Sequence, residues 1–483
     1  MNAGGSSTDR RPDPDPGGRR RPKAALFLVA CGLAGLAPHT LAPGLRLLPA
    51  SLLALVLGGH GLVTVVRGLR SLPAGPAGDP LTPDSASAPP PAPPAPQEAA
   101  AVDVVVAARD EQAVIARLVE RVGALQWPEN LLRLWVIDDG SEDRTPEVLA
   151  ELQARVPQLR VLRRPRDAGG GKSGALNLVL QELAGRWLLV LDADADLQPD
   201  TLQRLVPFAE AGGWAAVQLR KAVVNASVNP LTQAQAMEMA FDALLQTGRL
   251  ARGGVGELRG NGQLLRRDAV LACGGFNEYT LTDDLDLSLR LVLGGHPVGV
   301  LWDPPVGEEA VLTLPALWRQ RQRWAEGGLQ RFLDHGFGLG GGRLSRYQAL
   351  DLLAFFLLQY GMPVLAAADL LGVLLTGTPP LMWPFSIVAL ASSALALVAG
   401  CRRAREGPAL PPMTPFHVGL AILYLTHWFV VIPWVSVRMA LLPKRLVWAK
   451  TLHLGDDDEA LLQGDDPLAT EGEGELAAGG GQA

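Results

Sequence analysis

Acidic residues stand in close pairs in the middle of this chain, and two of the pairs directly follow apolar runs. Asp138 and Asp139 end one such run, and Asp192 and Asp194 follow another. Carboxylate oxygens are hard ligands that divalent cations such as Mg²⁺ accept, and a well-placed carboxylate can also remove a proton from a hydroxyl group. Taken singly, each pair is also what an ordinary turn or a helix-capping loop would show.

A further acidic group opens a stretch that is predicted to be helical as far as Leu293. It consists of Thr282, Asp283 and Asp284. Threonine and aspartate suit the start of a helix, and a carboxylate in that position can still act as a base, so the two interpretations do not compete. Asp286 is a weaker candidate for the base.

Gln320, Arg323 and Trp324 are spaced so that a helix places all three on one face. A guanidinium group suits phosphate, and an indole suits a sugar face or the edge of an acyl chain. The alternative is an amphipathic helix that lies along a membrane surface. The neighbouring Arg319 and Arg321 are expected to meet lipid head groups or solvent.

Strands alternating with helices must position these side chains. Val102–Ala108, Leu132–Ile137 and Trp187–Leu191 are predicted strands, and Glu111–Leu125 is a predicted helix. This alternation predicts an α/β fold with a mainly parallel sheet covered by helices. Ligands of such sheets bind beyond the carboxyl ends of the strands, which is where the first two acidic pairs stand.

Apolar segments lie on both sides of this region, and the chain is 48% hydrophobic. Ala24–Ala37 and Leu47–Val66 predict a transmembrane hairpin, since a span needs about 20 apolar residues. A cleaved signal peptide is the weaker alternative. Arg67, Arg70 and the basic N-terminus predict that both ends of the hairpin lie in the cytoplasm.

Three more candidate spans follow, at Leu352–Leu375, Leu381–Ala399 and Phe416–Leu442. Asp351 and Asp369 suggest that the first is partly interfacial, because carboxylates are costly in lipid.

Basic clusters at 402–405 and 444–445 would both prefer the cytoplasm, which a single span between them forbids. Either the last segment re-enters near Pro433, or one cluster breaks the rule. The sequence leaves both alternatives open.

Composition divides the chain into six parts. They are a basic tail (1–23), the hairpin (24–71), a disordered Pro/Ala linker (72–101), an α/β domain (102–345), transmembrane or interfacial helices (346–450) and an acidic, glycine-rich tail (451–483). The linker has too little apolar surface to offset its ordering entropy, although a proline-rich ligand for a partner domain is an alternative. A net charge of −6 argues against a nucleic-acid partner, and three scattered cysteines give no disulfide framework.

In their order and spacing, the acidic groups and the glutamine–arginine–tryptophan set resemble the D, DxD, TED and QxxRW motifs of membrane-bound, inverting family 2 glycosyltransferases. The resemblance covers roughly residues 102–330. It implies a GT-A-like fold that transfers a sugar from a nucleotide at a membrane surface, with Mg²⁺, or Mn²⁺, as cofactor. One departure is Asp283, where many relatives carry glutamate.

The resemblance also implies roles for individual acidic residues. Asp138 and Asp139 would line the pocket for the nucleotide base, and Asp192 would lie beside the nucleotide. Asp194 would contact the metal, and Asp284 would be the catalytic base.

Gln320, Arg323, Trp324 and Lys172 complete the implied set as substrate-binding residues. Lys172 lies in a glycine-rich stretch that resembles a segment near the donor in this family. A P-loop is excluded because its first glycine would fall on Arg166. A plain loop leading into a helix is an equally good interpretation of this stretch.

Three local sequences, at 259–263, 282–287 and 323–328, closely resemble the cyanobacterial β-monoglucosyldiacylglycerol synthases of this family. The resemblance implies UDP-glucose as donor, 1,2-diacylglycerol as acceptor and a bilayer, thylakoid or plasma membrane, as the site of action. One alternative is a processive cellulose-, chitin- or hyaluronan-like synthase, whose channel usually requires more spans. The other is a non-catalytic membrane protein with a degenerate transferase domain.

Overall fold

The computed structural model describes residues 20–70, 99–336 and 343–442. The predicted basic N-terminal tail and Pro/Ala linker lie largely outside these residues, and the acidic C-terminal tail lies wholly outside them. The chain begins with the helices α1 (Arg20–Thr40), α2 (Leu48–Leu53) and α3 (Gly59–Arg70). A π-helical turn at Ala54–Gly58 joins α2 to α3.

A 7-stranded sheet follows, in the order β3-β2-β1-β4-β6-β5-β7. Its strands are β1 (Val102–Ala108), β2 (Leu132–Asp138), β3 (Leu159–Arg163), β4 (Trp187–Leu191), β5 (Ala216–Val223), β6 (Gln263–Arg266) and β7 (Val298–Glu308). Only β6 runs antiparallel to its neighbours. The predicted α/β fold with a mainly parallel sheet is therefore confirmed.

Eight helices accompany the sheet within the described residues. They are α4 (Ile115–Gly123), α5 (Thr145–Gln153), α6 (Gly171–Leu180), α7 (Thr201–Ala211), α8 (Pro230–Leu250), α9 (Arg267–Ala272), α10 (Asp283–Leu293) and α11 (Leu314–His335). The predicted helix from Glu111 begins later, at Ile115. Asp110 has φ of +57°, and the Glu111 N–H group donates to the Thr145 hydroxyl, so the chain enters from a loop tied to its neighbour. A single turn, in which the Ile115 N–H group donates to the Glu111 carbonyl at 3.0 Å, then leads into the regular helix.

The two faces of the sheet have different surroundings. Val102, Val104 and Val106 point to the face covered by α4 and α7. Val105 and Ala107 point to the opposite face, where α6, α10 and α11 pack. The core on this second face continues without a break into residues of the N- and C-terminal helices, such as Ala24, Tyr360 and Val435, so the sheet packs directly on them.

The described residues end with α12 (Arg346–Phe356), α13 (Met362–Thr376), α14 (Trp383–Arg403), α15 (Pro415–Leu425) and α16 (Trp428–Leu441). A π-helical turn at Leu357–Gly361 joins α12 to α13. In the part of the chain that the structure describes, five helical segments are long and apolar enough to cross a membrane, and they cover Arg20–Thr40, Pro43–Arg70, Arg346–Thr376, Trp383–Arg403 and Pro415–Leu441.

Two carboxylates in these segments are buried in protein. Asp351 accepts a hydrogen bond from Arg249 of α8 at 2.9 Å, and Asp369 faces His39 of α1, also at 2.9 Å. Both are only 1–2% exposed. They therefore fasten helices together, and neither argues that the segment lies at an interface.

The last apolar segment is interrupted at Thr426 and His427, whereas Pro433 lies inside α16. Before the segment, Arg403 packs over Trp302 of β7, 4.7 Å from the ring centre. At its far end, Arg438 pairs with Glu326 of α11. Both ends thus contact the α/β domain.

Candidate active site

A cavity of about 2750 Å³ opens at the carboxyl ends of the strands and extends toward the membrane-facing helices. Its wall brings together seven of the nine predicted site residues. They are Lys172, Asp192, Asp194, Asp284, Gln320, Arg323 and Trp324. These seven residues, predicted from strand ends, helical spacing and family resemblance, therefore border one cavity, and their roles stay predictions.

Asp138 and Asp139 lie behind this wall and are each 1% exposed. Asp138 accepts from the Ser141 N–H group at 2.8 Å and pairs with Arg163 at 3.2 Å. Asp139 pairs with Arg164, and that guanidinium group reaches the cavity. Contact of these two acids with a nucleotide base stays a prediction, and the geometry gives Asp139 a route to the cavity only through Arg164.

Lys172 bridges the glycine-rich stretch and the second acidic pair. Gly170 has φ of +71°, which turns the chain into α6 and places Lys172 in its first turn. The ammonium group lies 2.5 Å from Asp192. Burial alone would lower the pKa of Lys172, but the charges of Asp192 and Asp283 outweigh that effect and raise it. Lys172 is thus a fixed positive charge inside the cavity.

The Asp194 carboxylate is oriented by the backbone. It accepts a hydrogen bond from the Glu309 N–H group at 2.9 Å, just after β7 ends. Among the described residues, no group of three or more His, Cys, Asp or Glu side chains is arranged to hold a metal ion. Two carboxylates suffice for Mg²⁺ when the substrate phosphates and water complete its shell. Asp194 can supply one of them, whereas Asp192 is paired with Lys172.

Asp284 lies in the first turn of α10 and borders the cavity. Burial among the surrounding protein groups, followed by the charge of Asp283, raises the pKa of Asp284 to about 6. A carboxylate with such a pKa is a better proton acceptor than an ordinary aspartate and is still ionised near neutral pH. The Thr282 hydroxyl beside it has no hydrogen-bond partner within the described part of the chain.

Asp286, the weaker candidate for the base, is already engaged. Its carboxylate pairs with Arg290 at 2.6 Å and with His335 at 2.8 Å, and it is 1% exposed. It therefore ties α10 to the end of α11 and has no access to a substrate.

Gln320, Arg323 and Trp324 project from α11 into the cavity, as their spacing predicted. The expectation for Arg321 was wrong, because it is 1% exposed and does not meet lipid or solvent. Its guanidinium group pairs with Glu238 of α8 at 2.6 Å. No local pattern in the sequence indicates this burial, because the partner lies 83 residues away along the chain.

Two ion pairs in the cavity wall were missed. Lys221 of β5 pairs with Glu308 of β7 at 2.7 Å, and Lys221 lies 5.4 Å from the centre of the Trp324 ring. Arg259 pairs with Asp242 at 3.0 Å. Lys221 and Glu308 stand at the ends of two strands that are neighbours in the sheet, so strand-end position was an available signal once the pairing was known.

The arrangement therefore combines three chemical capacities in one cavity. Asp284 can accept a proton, Lys172 and Arg323 can meet a diphosphate, and Asp194 can bind a divalent cation. Trp324 offers an aromatic face next to them, which suits a sugar ring.

Comparison with known proteins gives a concordant result. The family model described as "Glycosyltransferase like family 2" matches residues 99–327. A β-monoglucosyldiacylglycerol synthase of Synechocystis sp. is 41% identical over 449 residues, which cover 92% of this chain and 90% of that protein. A synthase of the same name from Trichormus variabilis is 44% identical over 361 residues, covering 74% of this chain and 77% of its own.

Among solved structures, the mannosyltransferase PcManGT from Pyrobaculum calidifontis, in complex with GDP-Man and Mn²⁺, matches with a TM-score of 0.52. It is 19% identical and covers 86% of this chain and 99% of its own, a likeness that shows the fold alone. The GT-A-like fold, the motif-bearing cavity and the two synthases that match most of the chain lead to the same assignment: this chain belongs to glycosyltransferase family 2.

Proposed function

We propose that this chain transfers glucose from UDP-glucose to 1,2-diacylglycerol and gives β-monoglucosyldiacylglycerol with inversion at the anomeric carbon. The observation that carries the proposal is the identity of 41% across 92% of the chain with a protein of that activity. The cavity supports it, since the same void borders the predicted catalytic acids and the membrane-facing helices.

In the proposed mechanism, Asp284 removes the proton from the acceptor hydroxyl as that oxygen attacks the anomeric carbon from the face opposite the leaving UDP. Lys172 and Arg323 meet the negative charge that develops on the diphosphate. Trp324 stacks against the glucose ring, and its own position is set by the cations Lys221 and Arg321, whose charged groups lie 5.4 Å and 4.1 Å from the ring centre.

Asp194 is proposed as the ligand of a divalent cation, Mg²⁺ or Mn²⁺, with Asp192 beside the nucleotide. Such a cation, when bound, supplies positive charge that stabilises the departing diphosphate. The Glu309 N–H group donates to the Asp194 carboxylate and thereby orients it at the cavity wall.

The proposed membrane arrangement is multi-pass, with the catalytic domain in the cytoplasm. Arg67 and Arg70 at the end of α3 support this orientation. The contacts of Arg403 and Arg438 with the α/β domain support a last segment that re-enters, with its turn at Thr426 and His427. We also propose the division of the membrane-bound chain into a basic tail, a hairpin, a linker, an α/β domain, C-terminal helices and an acidic tail.

A donor and acceptor screen tests the proposal. Membranes of a host that lacks glycolipids, with and without this protein, would be supplied with UDP-glucose, UDP-galactose, UDP-N-acetylglucosamine or GDP-mannose, and products would be resolved by mass spectrometry. We expect a single hexose on diacylglycerol, from UDP-glucose, and none from the Asp284→Asn variant. A ladder of hexoses or an insoluble polymer would favour a polysaccharide synthase instead.

A further inference from the structure

The cavity is larger than a nucleotide sugar requires. Its volume of about 2750 Å³ exceeds the roughly 300–1,000 Å³ that is usual for a small-molecule pocket. One end carries the charged residues of the proposed donor site, including Lys172 and Asp192. The remainder therefore needs a second occupant.

The walls of that remainder come from the membrane-facing helices. They are formed by parts of α3, the turn between α12 and α13, α14, and the ends of α15 and α16. Side chains there are mainly apolar, such as Leu358, Phe385, Ala389 and Ile422. An aqueous substrate would gain nothing from such a surface, whereas an acyl chain would bury apolar area against it.

Both π-helical turns of the described chain border this cleft. Leu57 and Gly58 belong to the first turn, and Leu358 and Tyr360 belong to the second. A π-helical turn widens a helix at the expense of regular hydrogen bonding and recurs at functional sites. Two such turns facing one cleft indicate that its shape serves a ligand.

The cleft is open on the side that would face hydrocarbon. Leu390 of α14 and Phe429 of α16 both border the cavity and keep 54% and 48% of their surface exposed. The mouth thus lies between α14 and the turn that joins α15 to α16. The donor end has its own wall of charged residues, such as Arg166 and Asp110, at the other extremity.

One polar atom in the cleft lacks a partner. The Ser392 hydroxyl of α14 is buried, borders the cavity and makes no hydrogen bond with any described residue. A buried hydroxyl without a partner is costly, so this atom indicates a ligand that carries an acceptor. Ester carbonyl groups in a glycerolipid are acceptors of that kind.

We infer that this cleft holds the acyl chains of the acceptor glycerolipid, which enters sideways from the bilayer between Leu390 and Phe429 and directs its hydroxyl toward Asp284. The inference rests on the proposed function and adds the location of the acceptor and its route of entry. Lateral entry spares the lipid from leaving the hydrocarbon, because only its head has to reach the charged end of the cavity.

A pair of substitutions on α14 tests the cleft. Ala389 borders the cavity, whereas Ala391, two residues away, is exposed on the outside of the helix and does not border it. Ala389→Phe therefore adds bulk inside the cleft, and Ala391→Phe adds the same bulk on the lipid-facing side of the helix. Kinetics would be measured in mixed micelles with dioleoylglycerol and with dioctanoylglycerol.

We expect Ala389→Phe to lower kcat/KM for dioleoylglycerol by at least about tenfold, the scale at which a hydrophobic pocket discriminates small changes in shape. The loss for dioctanoylglycerol should be smaller, the KM for UDP-glucose should not change, and Ala391→Phe should behave as wild type. Equal behaviour of the two variants toward both lipids would overturn the inference.

A measurement on the unaltered protein covers the case in which Ala389→Phe does not fold. A diacylglycerol with a photoreactive group near the end of one acyl chain would be cross-linked and the labelled peptides sequenced. Labels on α14 and on the start of α16 are expected, and labels confined to other helices would contradict the cleft. Absence of glucolipid synthesis by the wild type would instead reject the proposed function, whichever residues are labelled.

Discussion

The guanidinium carbon of Arg321 lies 4.1 Å from the centre of the Trp324 ring, so the aromatic side chain at the cavity wall rests on a buried cation. That cation is held by Glu238, which also accepts hydrogen bonds from the Tyr424 hydroxyl at 2.8 Å and the Trp428 indole at 3.1 Å. A single carboxylate on α8 thus joins α11 to α15 and α16.

Loss of Arg321 should destabilise the protein. Arg321→Met leaves the Glu238 charge buried without its cation, and breaking a buried ion pair in this way costs about 3–5 kcal/mol. Thermal unfolding in detergent, followed by tryptophan fluorescence, would measure the drop in midpoint. Arg319→Met is the matched control, because Arg319 is only half-buried, and it should unfold near the wild-type temperature. Equal midpoints for the two variants would show that the buried pair contributes no stability.

Asp284→Asn should abolish transfer and leave donor binding nearly intact. The amide cannot accept the proton of the acceptor hydroxyl, and a positioned general base contributes about 10²–10⁴-fold to the rate. Initial rates of glucolipid formation and calorimetric titration with UDP-glucose would be compared. Asp286→Asn, whose carboxylate is already paired with Arg290, should retain the wild-type affinity for UDP-glucose and measurable transfer. Full activity of Asp284→Asn would show that Asp284 is not the base.

The pH dependence of the transfer rate should also identify Asp284 as the base. Because Asp284 must be ionised to act as a base and its pKa is raised to about 6, kcat/KM for the acceptor should fall as the pH drops through about 6 and level off above it. Asp283 contributes to that raised pKa through its charge. In Asp283→Asn the acid limb should therefore move to lower pH. An unchanged limb would mean that another group controls it.

Strand-end positions and motif spacing predicted residues that line one cavity, but not which partners hold each of them. The acids at 192 and 194 follow a strand whose apolar run is local in sequence, so their position at the sheet edge could be predicted. The burial of Arg321 could not be predicted, because its partner Glu238 lies on a helix that is distant in sequence. Asp351 likewise looked interfacial, since sequence alone does not reveal Arg249 opposite it.

Loop contacts were likewise not predictable from local sequence. The helix predicted from Glu111 begins at Ile115, because the preceding segment is hydrogen-bonded to the 141–145 loop. No local sequence pattern predicts those hydrogen bonds. Helical periodicity predicted the shared face of Gln320, Arg323 and Trp324 because that relation is local. Relations between residues distant in sequence required the folded chain.

Asp194→Ala should weaken UDP binding only when a divalent cation is present. The proposed cation links this carboxylate to the diphosphate, so its removal leaves the contacts of Lys172 and Arg323 but loses the metal-dependent part of the affinity. Titration of UDP in the presence of Mn²⁺, and again with excess chelator, would separate the two contributions. If Mn²⁺ raised the affinity of the variant for UDP as much as it raises that of the wild type, the assignment of Asp194 as ligand would be refuted.

The most direct test of the proposed function uses the purified protein with UDP-glucose and dioleoylglycerol in detergent micelles. Released UDP and glucolipid would be counted together, and the anomeric configuration of the product would be determined by NMR. We predict one β-linked glucose per diacylglycerol and one UDP released for each glucolipid formed. UDP release without a glucolipid, a product with several hexoses, or an α-linked glucose would contradict inverting, single transfer to diacylglycerol.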